Sequence, residues 1–158
     1  MTDASVAHAT INIEREFARE PAAVFACFAD AASKRRWFIE GGNTVVDEFE
    51  MDFRVGGIEK MRSRFGPGTP LPEGTPWHND TWYCDIIENQ RIAIAYVMTI
   101  GGARISASLA TFEFRATDAG TKLLFTEQAA FFEHADGPGM RRQGWLDLFD
   151  RLAGELAG

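Results

Sequence analysis

PGMRRQGWLDLFDRLAGELAG, residues 138–158, is the stretch whose reading decides the fold. Trp145, Leu148, Phe149, Leu152 and Leu156 recur at helical spacing and share one face, which Leu146 and Ala153 widen. Asp147, Asp150, Arg151 and Glu155 take the other face. Pro138 suits a first helical turn, where its missing N–H breaks no hydrogen bond. The pattern predicts a helix roughly 28 Å long, the one long helix legible in the chain. Its broad apolar face needs a broad apolar partner, and only the strands before it can supply one.

Working back from the helix, the chain supplies strands. Four runs, about His78–Ile87, Arg91–Thr99, Ala103–Ala116 and Thr121–Ala130, are separated by tight gaps. Glu88-Asn89-Gln90 and Asp118-Ala119-Gly120 fit hairpins and make neighbours antiparallel. Ahead of them, Gly66–Pro76 carries Pro67, Pro70, Pro72 and Pro76, which no regular element tolerates; it reads as a loop long enough to form a rim or lid. Ile58–Phe65 sets Lys60, Arg62 and Arg64 against Glu59, Met61 and Ser63, a strand with a cationic side. Thr44–Met51 makes another strand, and Thr10–Phe17 a half-buried first one, with Ile11, Ile13 and Phe17 on one side. Between those two, Glu20-Pro21 opens a short helix with Val24, Phe25 and Phe28. Asp30 can cap a second one, where Lys34, Arg35 and Arg36 lead to Trp37 and Phe38.

This order predicts an α+β fold: a curved antiparallel sheet of about six to seven strands around a long C-terminal helix, with two short helices after the first strand. A helix laid across a curved sheet does not fill it, so a small-molecule cavity is expected between them.

The chain of 158 residues fits a single domain, with its core over about residues 10–157. Its formal net charge of −7 repels nucleic-acid phosphates and anionic membrane surfaces, which excludes both as main partners. No apolar run approaches the length of a membrane span. Met1–Thr10 is polar and lacks the apolar centre of a leader. Cys27 and Cys84 sit in apolar runs and read as buried thiols of a reduced, cytoplasmic protein. Edge strands leave a homodimer possible.

Short motifs point to a relationship. Pro21-Ala22-Ala23-Val24-Phe25 with Trp37 resembles the opening of the START-like, helix-grip (SRPBCC) superfamily. Asp52-Phe53-Arg54-Val55-Gly56-Gly57 resembles the D-x-R-x-G-G turn of its branch of homologues of the activator of the heat-shock protein 90 ATPase. Asp85-Ile86-Ile87-Glu88-Asn89-Gln90-Arg91-Ile92 is similar to that branch's E-I-x-P-x-x-R-[IL] hairpin, although it lacks the proline. Gly120-Thr121-Lys122-Leu123 and Gly144-Trp145-x-x-x-Phe149-x-x-Leu152 are similar to two further segments, so the likeness runs from about Glu14 to Leu156. Arg141 and Arg142 stand where histidine is frequent, and the proline-rich segment resembles an insertion. The resemblance implies the helix-grip fold and binding of hydrophobic small molecules. Polyketide cyclases and a stress-linked co-chaperone belong to the same wider group.

The residues themselves offer little reaction chemistry. His8, His78 and His134 have no metal-binding spacing, and no cofactor or nucleophile motif occurs. An acid–base pair of Glu127 with His78 or Asp85 is one alternative, on the polyketide cyclase or hydrolase pattern, and solvent-facing side chains are the plainer one. A protein-interaction module needs a large exposed apolar patch instead. The expected ligand-binding set is Trp37, Phe38, Trp82, Tyr96, Met98, Phe112 and Trp145 as apolar or aromatic wall, with the Tyr96 hydroxyl, Arg62, Glu127 and Arg141 as polar groups that orient a guest. For each aromatic, ordinary core packing is the competing reading.

Overall fold

A computed structural model describes residues 5–158; the first residues of the polar Met1–Thr10 stretch, 1–4, lie outside it. Seven strands form one antiparallel sheet: β1 (Ala7–Phe17), β2 (Thr44–Met51), β3 (Ile58–Phe65), β4 (Pro76–Ile87), β5 (Arg91–Ile100), β6 (Ala103–Thr117) and β7 (Gly120–Phe131). Their order across the sheet is β1-β7-β6-β5-β4-β3-β2. Hairpins link β2 through β7 in succession, while β1 joins the far edge beside β7.

Two short helices, α1 (Pro21–Ala29) and α2 (Ala31–Lys34), connect β1 to β2. Pro21 lies in the first turn of α1, and the Asp30 carboxylate accepts from the Ala32 and Ser33 amides to start α2. A single π-helical turn, Arg35–Ile39, follows in place of a continued α-helix. The wider turn carries Trp37 and Ile39 inward, both buried. Trp37 Nε1 donates to the Cys27 carbonyl at 2.8 Å, tying the turn back to α1.

The long helix α3 (Gly137–Ala157) crosses the inner face of the sheet. Trp145, Phe149, Leu152 and Leu156 are its buried apolar residues, at the spacing the sequence predicts. With Val24, Phe25 and Phe28 of α1 they pack on Ile11 and Ile13 of β1, Phe112 and Phe114 of β6, and Leu123 and Phe125 of β7. That core lies over β1, β7 and β6. The inner faces of β3, β4 and β5 are only partly covered by helix, because α3 packs against β1, α1 and the π turn at the other side of the sheet.

Two turns show why particular residues are needed. Gly57 packs so tightly that a β-carbon there would run into the Asp52 carbonyl, and Gly56, at φ 82, takes the left-handed backbone that glycine tolerates. The β4–β5 hairpin places Asn89 at φ 62. Asparagine accepts this left-handed conformation more readily than most residues.

Candidate functional site: a cavity between sheet and helix

The uncovered half of the sheet opens onto a cavity of about 540 Å³. Its floor is the inner face of β3 to β5, with Met61, Phe65, Ile94, Tyr96 and Met98 among the lining residues. Trp37 and Phe38 of the π turn close one side, and Arg141, Gly144, Trp145 and Leu148 of α3 form the roof. Thr69, Pro70 and Leu71 of the proline-rich loop also line it, as do His134–Asp136 before α3, so the loop expected as a rim reaches the site. Met140, exposed on α3, marks the mouth.

Seven of the ten residues expected at the site from sequence, Trp37, Phe38, Tyr96, Met98, Phe112, Arg141 and Trp145, line this cavity. Glu127 stands behind the wall, bonded to three of them. Two expectations are corrected. Arg62 lies on the opposite face of β3 and donates to Asp80 at 2.8 Å, because Met61 takes the inward position beside it. Trp82 is 43% exposed on the outer face of β4, since Thr81 and Tyr83 point inward. It stands in register with Ile58 on one side and Ala95 on the other.

The acid–base alternative is not assembled. His78 shares the outer face of β4 with Trp82, and Asp85 accepts from Arg91 at 2.7 Å at the hairpin end. Glu127 faces the interior and meets neither. Cys27 is buried, but Cys84 is exposed on the same outer face, contrary to expectation; both thiols are free. Burial pushes the Cys27 thiol pKa up. Among the described residues no group of three or more His, Cys, Asp or Glu side chains is placed to hold a metal ion.

Sequence reasoning placed Glu127 and Arg141 as separate polar groups. The structure joins them in one buried cluster. The Glu127 carboxylate, 0% exposed, accepts from Tyr96 Oη, Ser108 Oγ at 2.7 Å, Trp145 Nε1 at 2.7 Å and Arg141 Nη1 at 2.8 Å. Arg141, 4% exposed, also donates to Tyr96 Oη, Ser106 Oγ and both Asp136 oxygens. Burial opposes its charge, yet Tyr96, Asp136 and Glu127 together hold its pKa above the ordinary value. The cluster clamps the start of α3 to β5, β6 and β7.

A second buried cluster was missed. Lys34 of α2 donates to Glu59 of β3 at 2.6 Å, and Tyr83 of β4 donates to the same carboxylate oxygen at 2.5 Å. Lys34 Nζ also sits 4.8 Å from the centre of the Phe38 ring. Lys34 belongs to a run of three cations, Lys34-Arg35-Arg36, and Glu59 alternates with Lys60. The available signal was its position on the Met61 side of β3.

The chain's two tyrosines, Tyr83 and Tyr96, thus both face a buried carboxylate. Burial first, then the carboxylate, raises both phenol pKa values above the ordinary one near 10. Because the folded pKa exceeds the unfolded one, the neutral phenols favour the folded state below about pH 10, and that contribution is lost as pH rises further. Alkaline titration is therefore expected to show no tyrosinate absorbance while far-ultraviolet circular dichroism stays native, and both signals should change together. Reversible ionisation of a tyrosine near pH 10 with the fold intact would show that its phenol is open to water.

An antiparallel sheet bent around one long helix, with a cavity between them, defines the helix-grip class of START-like proteins. Within that class, residues 18–157 match the family described as activator of Hsp90 ATPase homolog 1-like protein, and the chain belongs to it. Among solved structures, a protein from Rhizobium leguminosarum is 37% identical, covers 97% of each chain and superposes with a TM-score of 0.87. One from Rhizobium loti is 42% identical, with 96% of this chain and 99% of that chain covered and a TM-score of 0.83. An AHSA1-like protein from Aeromonas hydrophila shares the fold at 15% identity and a TM-score of 0.65, over 94% and 92% of the two chains. No curated protein matches the chain. No described helix is long and apolar enough to cross a membrane.

Proposed function

We propose that the protein binds a small, largely apolar molecule in the cavity beneath α3. The observation that carries this reading is a space of about 540 Å³ walled mainly by aromatic and aliphatic side chains, within the size range of small-molecule sites. Affinity comes from apolar area removed from water, at roughly 25 cal/mol per Å².

Trp37, Trp77 and Trp145 line the cavity and Trp82 does not, so tryptophan fluorescence reports on occupancy. Titration with a panel of aromatic and polyketide-like compounds is expected to give a saturable fluorescence change and a matching rise in thermal midpoint. Gly144→Leu, which adds a side chain at a residue lining the cavity, should weaken both responses while the protein stays folded. Silence of both readouts across the panel would rule the reading out.

A further inference from the structure

Two buried polar clusters border the cavity, and they differ in unused hydrogen-bonding capacity. The Arg141 cluster is closed. Both oxygens of Glu127 accept, all three guanidinium nitrogens donate within the protein, and Tyr96 Oη both donates and accepts. The Lys34 cluster is open. Lys34 Nζ makes one hydrogen bond, so two of its three N–H groups have no acceptor among the described residues. Glu59 Oε1 accepts from both Lys34 and Tyr83, while Oε2 has no donor among the described residues. Glu59 is only 2% exposed, and both it and Lys34 line the cavity.

Stability does not account for such a pair, because apolar residues in place of a buried ion pair are often neutral or stabilising. The charges around the site also balance. Lys34, Arg141 and Arg151 face Glu59, Asp136 and Asp147. An anionic guest would meet the free Glu59 oxygen, and a cationic one would meet Lys34.

We infer that the Lys34–Glu59 pair is the recognition point of the cavity, and that its ligand is a neutral, largely apolar molecule bearing a hydroxyl group. The hydroxyl donates to Glu59 Oε2 and its oxygen accepts from Lys34 Nζ. A single oxygen satisfies both roles, which an ether or a bare hydrocarbon cannot. This inference rests on the ligand-binding reading above and assigns the chemistry of the guest.

The test compares 2-naphthol, 2-methoxynaphthalene and naphthalene by calorimetry at neutral pH, where the naphthol is uncharged. The wild-type protein is expected to bind 2-naphthol at least about tenfold more tightly than the other two, the effect of hydrogen bonds to charged partners. In Lys34→Met with Glu59→Leu, changed together so that neither charge is left unpaired, the three affinities should converge. If that double variant does not fold, Glu59→Gln, which keeps the side chain's shape and an acceptor for Tyr83, should reduce the preference instead. Equal wild-type affinities, or a preference that survives the substitutions, would overturn the inference and leave the binding reading standing. Silence with these three compounds while others of the panel bind would do the same. Silence across the whole panel would remove both.

Discussion

Arg141→Met is expected to lower the unfolding free energy by about 3–5 kcal/mol, the usual effect of removing one partner from a buried ion pair. The substitution keeps much of the side chain's apolar length but strips the charge from a site that is 4% exposed. Glu127 would remain as a fully buried carboxylate, held only by Tyr96, Ser108 and Trp145. Ser106 and Asp136 would lose their guanidinium contacts as well. Urea denaturation should show a lower midpoint with an unchanged slope. Adding Glu127→Gln to this variant should cost much less than Glu127→Gln alone, because the charge it neutralises no longer has a partner. Groups that act as a unit show coupling of about 0.5–3 kcal/mol in such a cycle. Strict additivity would mean that the two residues do not act together.

Phe149→Ala is expected to cost about 3–5 kcal/mol, whereas Leu148→Ala, one residue earlier, should cost well under half of that. The two side chains point to different surroundings. Phe149 is 0% exposed, with its ring centre 5.6 Å from Phe125 and 5.7 Å from Trp145. Truncation there opens a void that packed neighbours cannot fill. Leu148 is only half-buried and already borders the cavity, so its truncation enlarges existing space. Thermal midpoints measured without ligand check the pair, at roughly 2–4 °C per kcal/mol for a chain of this size. Equal losses would mean that Leu148 is packed as tightly as core.

The sequence made most of the fold legible because period and punctuation agree with it. Glu20-Pro21, the Asp30 cap, the proline-rich break and the helical spacing from Trp145 to Leu156 are local signals, and each marks an element that the structure contains. The strands β2 and β3 begin and end where alternation and glycine place them. The site was harder to read because facing depends on partners far away in the chain. Arg62 and Trp82 stand next to Met61 and Tyr83, and alternation alone does not say which neighbour turns inward. On β3 the inner face mixes Glu59 and Ser63 with Met61 and Phe65, so its apolar character is diluted. Only the meeting of Glu59 with Lys34 and Tyr83, each more than 20 residues distant, makes it an interior face. The Lys34-Arg35-Arg36 run carries no local mark showing which cation is buried; the π turn after Lys34 settles that.

The pairing of β1 with β7 bears on how the chain reaches this shape. Ile11 lies opposite Glu127 and Ile13 opposite Phe125, partners more than a hundred positions apart. On the ribosome, the first strand has no neighbour to zip against until almost everything else has been made. Its Ile-rich edge must stay unclaimed through that interval, and refolding of the whole chain is slowed by the same long-range closure.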